Sequence, residues 1–215
     1  IGHSVQGRAI KATYKGYEGA KHVVVVLGQM HGNEKAGPRV VHRMIERSKP
    51  ITGTGVWFIV TMNPDGSLKN KRTNARGVDL NRNWPTSGWT SKGKGSITWG
   101  GPKPKSEPET RTMMRFLQKY RPDYIASIHQ PYGAIAKTGI DKAWEARLKK
   151  YLFLPVRPIG VGTPSNKVSP TLTGWYNRWY PKNGTATTIE LRSEVSSEYV
   201  KKHATPGILK AAKAL

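Results

Sequence analysis

The chain has 215 residues, enough for one sizeable hydrophobic core but short for two, so a single catalytic domain over residues 1–215 is expected. Apolar residues at 36%, with seven Trp and nine Tyr, exclude a disordered chain, and no apolar run is long enough to span a membrane. Cysteine is absent, which excludes disulfides and thiolate chemistry, and the net charge of +23 favours anionic partners.

The chain opens at Ile1 with no basic-then-apolar leader, which reads as a trimmed form. Val23–Leu27 is a short β-branched run bounded by polar and Gly positions, the pattern of a buried strand. Val40, Val41, Met44 and Ile45 recur at helical spacing and predict a helix from Glu34 to Arg47. Val56–Met62 reads as a second buried strand, closed by the turn chemistry of Asn63-Pro64-Asp65-Gly66. Residues 63–105 read as one long loop, and loops of that length inside a compact domain are usually functional. Ser106 and Glu109 have capping-box spacing and predict a helix running to Tyr120. Tyr124–His129 reads as a third strand, Asp141–Leu152 as a helix and Thr187–Leu191 as a late strand. A closing helix over Ser196–Leu215 is interrupted near Pro206. Strands alternating with helices predict an α/β fold, a mixed and largely parallel sheet flanked by helices.

In such sheets ligands sit beyond the C-terminal ends of the strands. That rule selects His31, Asn63, His129 and Glu190. A metal site without Cys must use His, Asp or Glu, and catalytic zinc takes three protein ligands with a fourth position open to water. His31 and Glu34 stand three residues apart at a helix entrance, and His129 offers a third donor from another strand end. Alone, His-x-x-Glu is more often a capping or ion-pairing arrangement than a metal site. His3, His22, His42 and His203 lie near the termini, before a strand or within a helix, and read as surface or packing residues. The basic residues form no block and no nucleic-acid-binding motif, so nucleic acid is disfavoured as the main partner. A solvated basic surface, or attraction to an anionic cell-wall polymer, fits that distribution better.

The candidate residues fall within a series of motifs: HGNE at 31–34, NPDG at 63–66, RTNARGVDLNRNWP at 72–85, SEPET at 106–110, SIHQP at 127–131 and TIEL at 188–191. In this order they resemble the M14 zinc carboxypeptidase family, within it most the murein peptide amidase branch, from residue 1 to about residue 195. The resemblance implies a zinc carboxypeptidase-like fold and one Zn2+ per chain, held by His31, Glu34 and His129. It implies that Asp79 orients His31, that Glu190 is the catalytic carboxylate and that Arg72 polarises the scissile carbonyl. Asn81 and Arg82 would receive a free carboxylate of the substrate, whereas Arg76 reads as an ordinary surface charge. Zinc-dependent hydrolysis of a peptidoglycan peptide beside diaminopimelate is the implied activity. The alternatives are a general metallocarboxypeptidase acting on ordinary peptides, and an inactive basic module binding wall polymer or nucleic acid. A monomer, secreted or associated with the cell envelope, is expected.

The sequence departs from the family in one respect. Digestive members carry a mobile tyrosine about twenty residues before the catalytic glutamate, but Ser165–Pro170 contains none. Tyr176 and Tyr180 stand at the wrong offset, so that role is unassigned. Thr163–Trp179 is expected to line the pocket beyond the scissile bond, and it holds no acidic residue to pair with a Lys or Arg side chain. Gly32 is expected to leave room for metal and substrate.

Overall fold

A computed structural model describes residues 1–17, 19–47, 50–180 and 184–215. Three short strands, β1 (Gly2–His3), β2 (Ala9–Ile10) and β3 (Thr13–Lys15), precede β4 (Val23–Leu27). Helix α1 (Ala36–Ile45), β5 (Gly55–Ile59), the short α2 (Pro64–Leu68) and a 3-10 turn at Leu80–Arg82 follow. Then come α3 (Pro108–Tyr120), β6 (Tyr124–His129), β7 (Tyr132–Ala136), α4 (Lys142–Leu152) and β8 (Val156–Arg157). Helix α5 (Leu172–Trp179) and β9 (Thr185–Arg192) lead to α6 (Ser197–Tyr199), a π-turn at Val200–Ala204 and α7 (Thr205–Ala211).

Seven strands form one mixed sheet in the order β3-β5-β4-β6-β9-β7-β8. The central β5, β4, β6 and β9 are parallel, with β3 and β7 antiparallel to their neighbours β5 and β9. The valine run shows why β4 lies at the centre: its alternate side chains are buried on both faces. Val24 and Val26 join a core with Val40, Val41, Met44, Leu148 and Ile208, so α1, α4 and α7 cover that face. Val25 and Leu27 join Trp84, Met113, Phe116, Leu117 and Trp175, so α3 and α5 cover the other. Each fully buried Val or Leu contributes about 1.5–3 kcal/mol of transfer free energy.

The differences from the sequence pattern have local causes. Helix α1 starts at Ala36 rather than Glu34, and its N-cap, Lys35, makes no side-chain cap bond. The Ala36 N–H instead donates to Gln130 Oε1 at 2.8 Å. Close approach replaces capping chemistry here, since a Cβ on Gly37 would overlap the Gly28 carbonyl. Asn63-Pro64-Asp65-Gly66 opens α2 rather than ending in a plain turn, with Asn63 Oδ1 accepting from Gly66 N–H at 2.9 Å. The capping box is not formed: the N-cap of α3 is Glu107, without a side-chain cap bond. Ser106 Oγ donates to Glu107 Oε1 at 2.6 Å, while Glu109 Oε1 accepts from Val5 N–H at 3.0 Å. Asn74 Nδ2 bridges both carboxylates at 2.8 and 3.2 Å, so the motif buttresses the long loop from beneath. Arg76 is mostly exposed, 3.7 Å from Glu107.

Asp65 ties the N-terminal segment to α2. The Ser4 hydroxyl, Gln6 N–H and Arg8 guanidinium donate to its carboxylate at 2.9, 3.0 and 2.7 Å. Burial opposes ionisation, but these donors, Arg8 foremost, hold the carboxyl below its ordinary value of 3.8. A carboxyl depressed by folding stabilises the fold above its unfolded value, and the contribution is lost as pH falls through the folded one. Asp65→Asn is therefore expected to cost about 1–3 kcal/mol at neutral pH and to flatten the acid loss of stability below about pH 4. Urea unfolding at pH 7 and pH 3 checks this; an unchanged acid slope would remove Asp65 from the account.

Candidate active site

The three donors selected in sequence come together where the strands end. His31 lies four residues beyond β4, Glu34 follows in a turn whose N–H donates to the His31 carbonyl at 3.1 Å, and His129 is the last residue of β6. One ligand atom from each falls within 4.8 Å of the others, and all three residues are buried. His31 Nδ1 and His129 Nδ1 are 3.2 Å apart. Glu34 Oε1 is 2.7 Å from His31 Nδ1, and Glu34 Oε2 is 3.0 Å from His129 Nδ1. Zinc with bonds of about 2.0–2.1 Å keeps tetrahedral ligand atoms about 3.3 Å apart, so the nitrogen pair already has the required separation. Apart from that 3.0 Å approach of His129 Nδ1, buried Glu34 Oε2 has no polar partner among the described residues, which leaves a lone pair available to a cation. The donor set fits zinc. His3, His22, His42 and His203 take no part in it.

The surrounding groups fix which nitrogen faces the cluster. His31 Nε2 is 3.0 Å from Asp79 Oδ1, so an Nε2–H donated there leaves Nδ1 as the ligand atom. His129 is held likewise, its Nε2 lying 3.1 Å from Ser127 Oγ. Burial opposes charge on His31, but Asp79 and Glu34 outweigh it and raise its pKa. Burial also opposes ionisation of Glu34, yet His129 and His31 hold its carboxyl down at about 2. The two carboxylates thus create a demand for positive charge between the imidazoles.

Glu190 stands beside this cluster because β6 and β9 are paired in register, His129 opposite Glu190. It is 7% exposed, and its Oε2 has no hydrogen-bond partner among the described residues. Burial pushes its carboxyl up, the nearby Glu34 adds to the rise, and His129 works against it. A buried carboxyl raised in this way is suited to accept and release a proton.

Arg72 and Arg82 enter from the long loop, which is ordered around Asp79. Asp79 Oδ2 accepts a fork from Arg72 Nε and Nη2 at 3.1 and 2.8 Å, and Oδ1 also accepts from Asn81 N–H at 2.8 Å. Arg72 Nη1 lies 3.2 Å from His31 Nδ1, which brings this guanidinium to the metal cluster. Arg82 is mostly buried, donating to the Asn81 carbonyl at 2.9 Å and lying 4.0 Å from Asp79. Asn81 Oδ1 accepts from Leu172 N–H at 3.2 Å, which ties it to the start of α5, and its NH2 has no partner among the described residues. The eight residues to which the resemblance assigns a role therefore lie in one connected region.

The segment 163–179 is partly helical and docked on that loop. Gly88 N–H donates to the Val168 carbonyl at 2.9 Å, Val168 N–H donates to Ser87 Oγ at 2.9 Å, and Trp175 packs on Trp84 with centroids 5.1 Å apart. Tyr176 is a core residue whose hydroxyl donates to the Pro122 carbonyl, and Tyr180 stacks on it at 5.1 Å. A buried, anchored Tyr176 cannot act as a mobile side chain. Gly32 does not provide open space, since a Cβ there would overlap the Gly66 carbonyl carbon. Its smallness lets the metal loop rest directly on α2.

Two glutamines went unremarked in the sequence. Gln29, fully buried, donates from Nε2 to the Gly32 and Glu34 carbonyls at 3.1 and 3.0 Å and so shapes the loop from behind. Gln130 accepts from Ala36 N–H at 2.8 Å and donates to the Arg192 and Ser193 carbonyls, each at 2.9 Å. One side chain thereby clips together the segments carrying Glu34, His129 and Glu190. Its only sequence signal was a polar residue next to His129 at a strand end.

Known proteins resemble this chain along most of its length. Murein peptide amidase A of Escherichia coli (strain K12) is 30% identical over 154 residues, covering 66% of this chain and 63% of that protein. The catalytic chain of human carboxypeptidase N is 28% identical over 221 residues, covering 82% of this chain and 46% of that protein. Among solved structures, the murein-tripeptide amidase of Escherichia coli O157 superposes with a TM-score of 0.77 at 22% identity, over 98% of this chain and 90% of that one. The carboxypeptidase A of Helicoverpa armigera gives 0.77 at 18% identity, over 99% and 67%. These superpositions establish a zinc carboxypeptidase-like fold. The zinc carboxypeptidase family itself, Peptidase M14, matches residues 1–143, about two thirds of the chain, and to that family the chain belongs.

Proposed function

We propose that this protein hydrolyses an amide bond in a bacterial cell-wall peptide, beside a diaminopimelate residue with a free carboxylate. The observation that carries the reading is the in-register pairing of Glu190 with the ligand His129, next to the guanidinium groups of Arg72 and Arg82. The similarity to murein peptide amidase A supports the choice of substrate. Bound at His31, Glu34 and His129, Zn2+ supplies Lewis acidity and makes water a nucleophile near neutral pH. Glu190 Oε2 takes the proton from water as its oxygen attacks the scissile carbonyl carbon. It then delivers that proton to the nitrogen as the C–N bond breaks, giving a carboxylate and an amine. Arg72 stabilises the negative charge on the carbonyl oxygen, an interaction of about 3–4 kcal/mol in comparable sites. Arg82 and the Asn81 NH2 receive the substrate carboxylate, for which the planar guanidinium fork is suited. Asp79 holds both His31 and Arg72 in place.

A second reading, a carboxypeptidase trimming ordinary peptides, is supported by the similarity to carboxypeptidase N. The absence of acidic residues from 163–179 speaks against basic C-terminal residues as its substrates. Mass spectrometry of products from a panel of defined muropeptides and ordinary peptides separates the readings. Cleavage between γ-D-glutamate and diaminopimelate is expected; release of C-terminal residues from ordinary peptides alone would establish the second. No product from either class by the zinc-loaded protein would leave a binding module. The basic surface suits a monomer that is secreted or envelope-associated and held near anionic wall polymer by salt-sensitive attraction.

A further inference from the structure

Phe153 ends α4 in a conformation that its residue type resists. Its φ is 55°, in the left-handed region, and its side chain leaves the residue 68% exposed. Glycine at this helix end would take up the same backbone without strain and expose no ring. The ring stands edge-on to His203 with centroids 5.0 Å apart, and His203 meets Tyr199 at 5.6 Å. Tyr199 is itself fixed, its hydroxyl donating to the Leu152 carbonyl at 2.7 Å. The result is a row of three rings running from half-buried Tyr199, which packs against the core, through His203 to the exposed ring of Phe153.

Two concavities share both Phe153 and His203 with this row. One, of about 650 Å³, has Phe153, Tyr199 and His203 in its wall together with Arg192, Glu194 and Ser196. A cationic donor, an anionic acceptor and a hydroxyl beside aromatic rings suit a ligand rich in hydroxyl groups. The other, of about 370 Å³, shares Phe153 and His203 and is lined by Lys150, Lys202 and Lys210, with no carboxylate in its wall. Lys202 has an exposed partner in Glu198 at 2.7 Å. Lys150 and Lys210 both sit by the Tyr151 ring, 5.5 and 5.9 Å from its centroid, and have no ion pair among the described residues. Both volumes lie within the range of about 300–1,000 Å³ usual for ligand sites.

We propose that the two concavities form one binding site for an anionic glycan. Sugar rings lie against Phe153 and its neighbouring rings, hydroxyls meet Arg192, Glu194 and Ser196, and the charged substituent lies among the three lysines. Glu194 separates this ligand from nucleic acid: it repels a backbone charged at every nucleotide but accepts a hydrogen bond from a sugar hydroxyl. The site contains none of the metal-cluster residues and does not rest on the hydrolytic reading. Arg192 links the two regions, two residues beyond Glu190 on β9.

Calorimetric titration of the whole chain with peptide-free glycan strands of peptidoglycan, whose lactyl groups carry carboxylates, tests the proposal. Neutral chitin oligomers, inorganic polyphosphate and an oligo-dT serve as comparisons. The glycan strands are expected to bind at least about tenfold more tightly than any of the three in about 0.15 M salt. Phe153→Gly is expected to weaken glycan binding about tenfold, as is the double change Lys150→Ala and Lys210→Ala, with hydrolysis of a short soluble peptide unchanged. Because Phe153→Gly also relieves the left-handed strain, its Tm should stay level or rise, which separates lost binding from lost fold. Equal or tighter binding of polyphosphate or oligo-dT would overturn the proposal, as would glycan binding indifferent to Phe153→Gly.

Discussion

Glu190→Gln is expected to lower kcat by about 10²–10⁴-fold while leaving the zinc content at one per chain. The amide is nearly isosteric with the carboxylate and cannot accept and return the proton, and Glu190 is outside the three-residue ligand set. Removing the buried charge also relieves the repulsion that Glu34 exerts on this position, so the variant should fold at least as stably as the parent. Metal analysis, thermal unfolding and turnover on one preparation distinguish the outcomes. Turnover near the parent level with zinc bound would show that another group moves the proton. Loss of zinc together with activity would mean that Glu190 helps to hold the ion instead.

Asp79→Asn is expected to have the second largest effect, through different quantities. The carboxylate serves three partners at once, His31 Nε2, the Arg72 fork and Asn81 N–H. An amide can still accept from His31, but it presents no negative charge to Arg72 and Arg82. Partners of this kind tune zinc affinity by about 10–100-fold, and a competition titration with a chromophoric chelator should find a loss in that range. The loss of kcat should exceed what the weaker affinity explains once zinc is saturating, because Arg72 is no longer aimed by a bidentate contact. Recovery of full activity at saturating zinc would confine Asp79 to holding the ligand imidazole.

Much of the site was legible because its residues are polar groups where the chain should be burying apolar ones. His31 follows a hydrophobic strand, His129 ends one and Glu190 lies two residues before the end of β9, and the strand pattern itself identified β4 and β6 with their observed boundaries. The long loop was legible as a segment without strand or helix periodicity, but α2 and the turn at Leu80–Arg82 within it were not, since both depend on caps supplied by Asn63 and Asp79. Strands β7 and β8 and helix α5 also lacked a usable signal. Tyr132–Ala136 is short and only partly buried, and α5 gains its buried face from Trp84, far away in sequence. The capping box at Ser106 and Glu109 failed for a related reason: Glu109 is committed to Val5 and Asn74, partners that only the fold brings near. The hydrogen bonds of Gln29 and Gln130 are invisible in sequence for the same cause.

The pairing of His129 with Glu190 across two neighbouring parallel strands has a consequence for how such a protein diversifies. If His129 is a metal ligand and Glu190 the base, as proposed, the distance between them is set by sheet spacing, a property of the backbone that loop sequences do not alter. The stretch before β9, by contrast, meets the long loop through Asn81, Trp84 and residues 87–88. Insertions or exchanges in that stretch can reshape what is recognised without resetting the reactive distance. Recognition and chemistry are thereby separable in inheritance, and one can drift while the other stays calibrated.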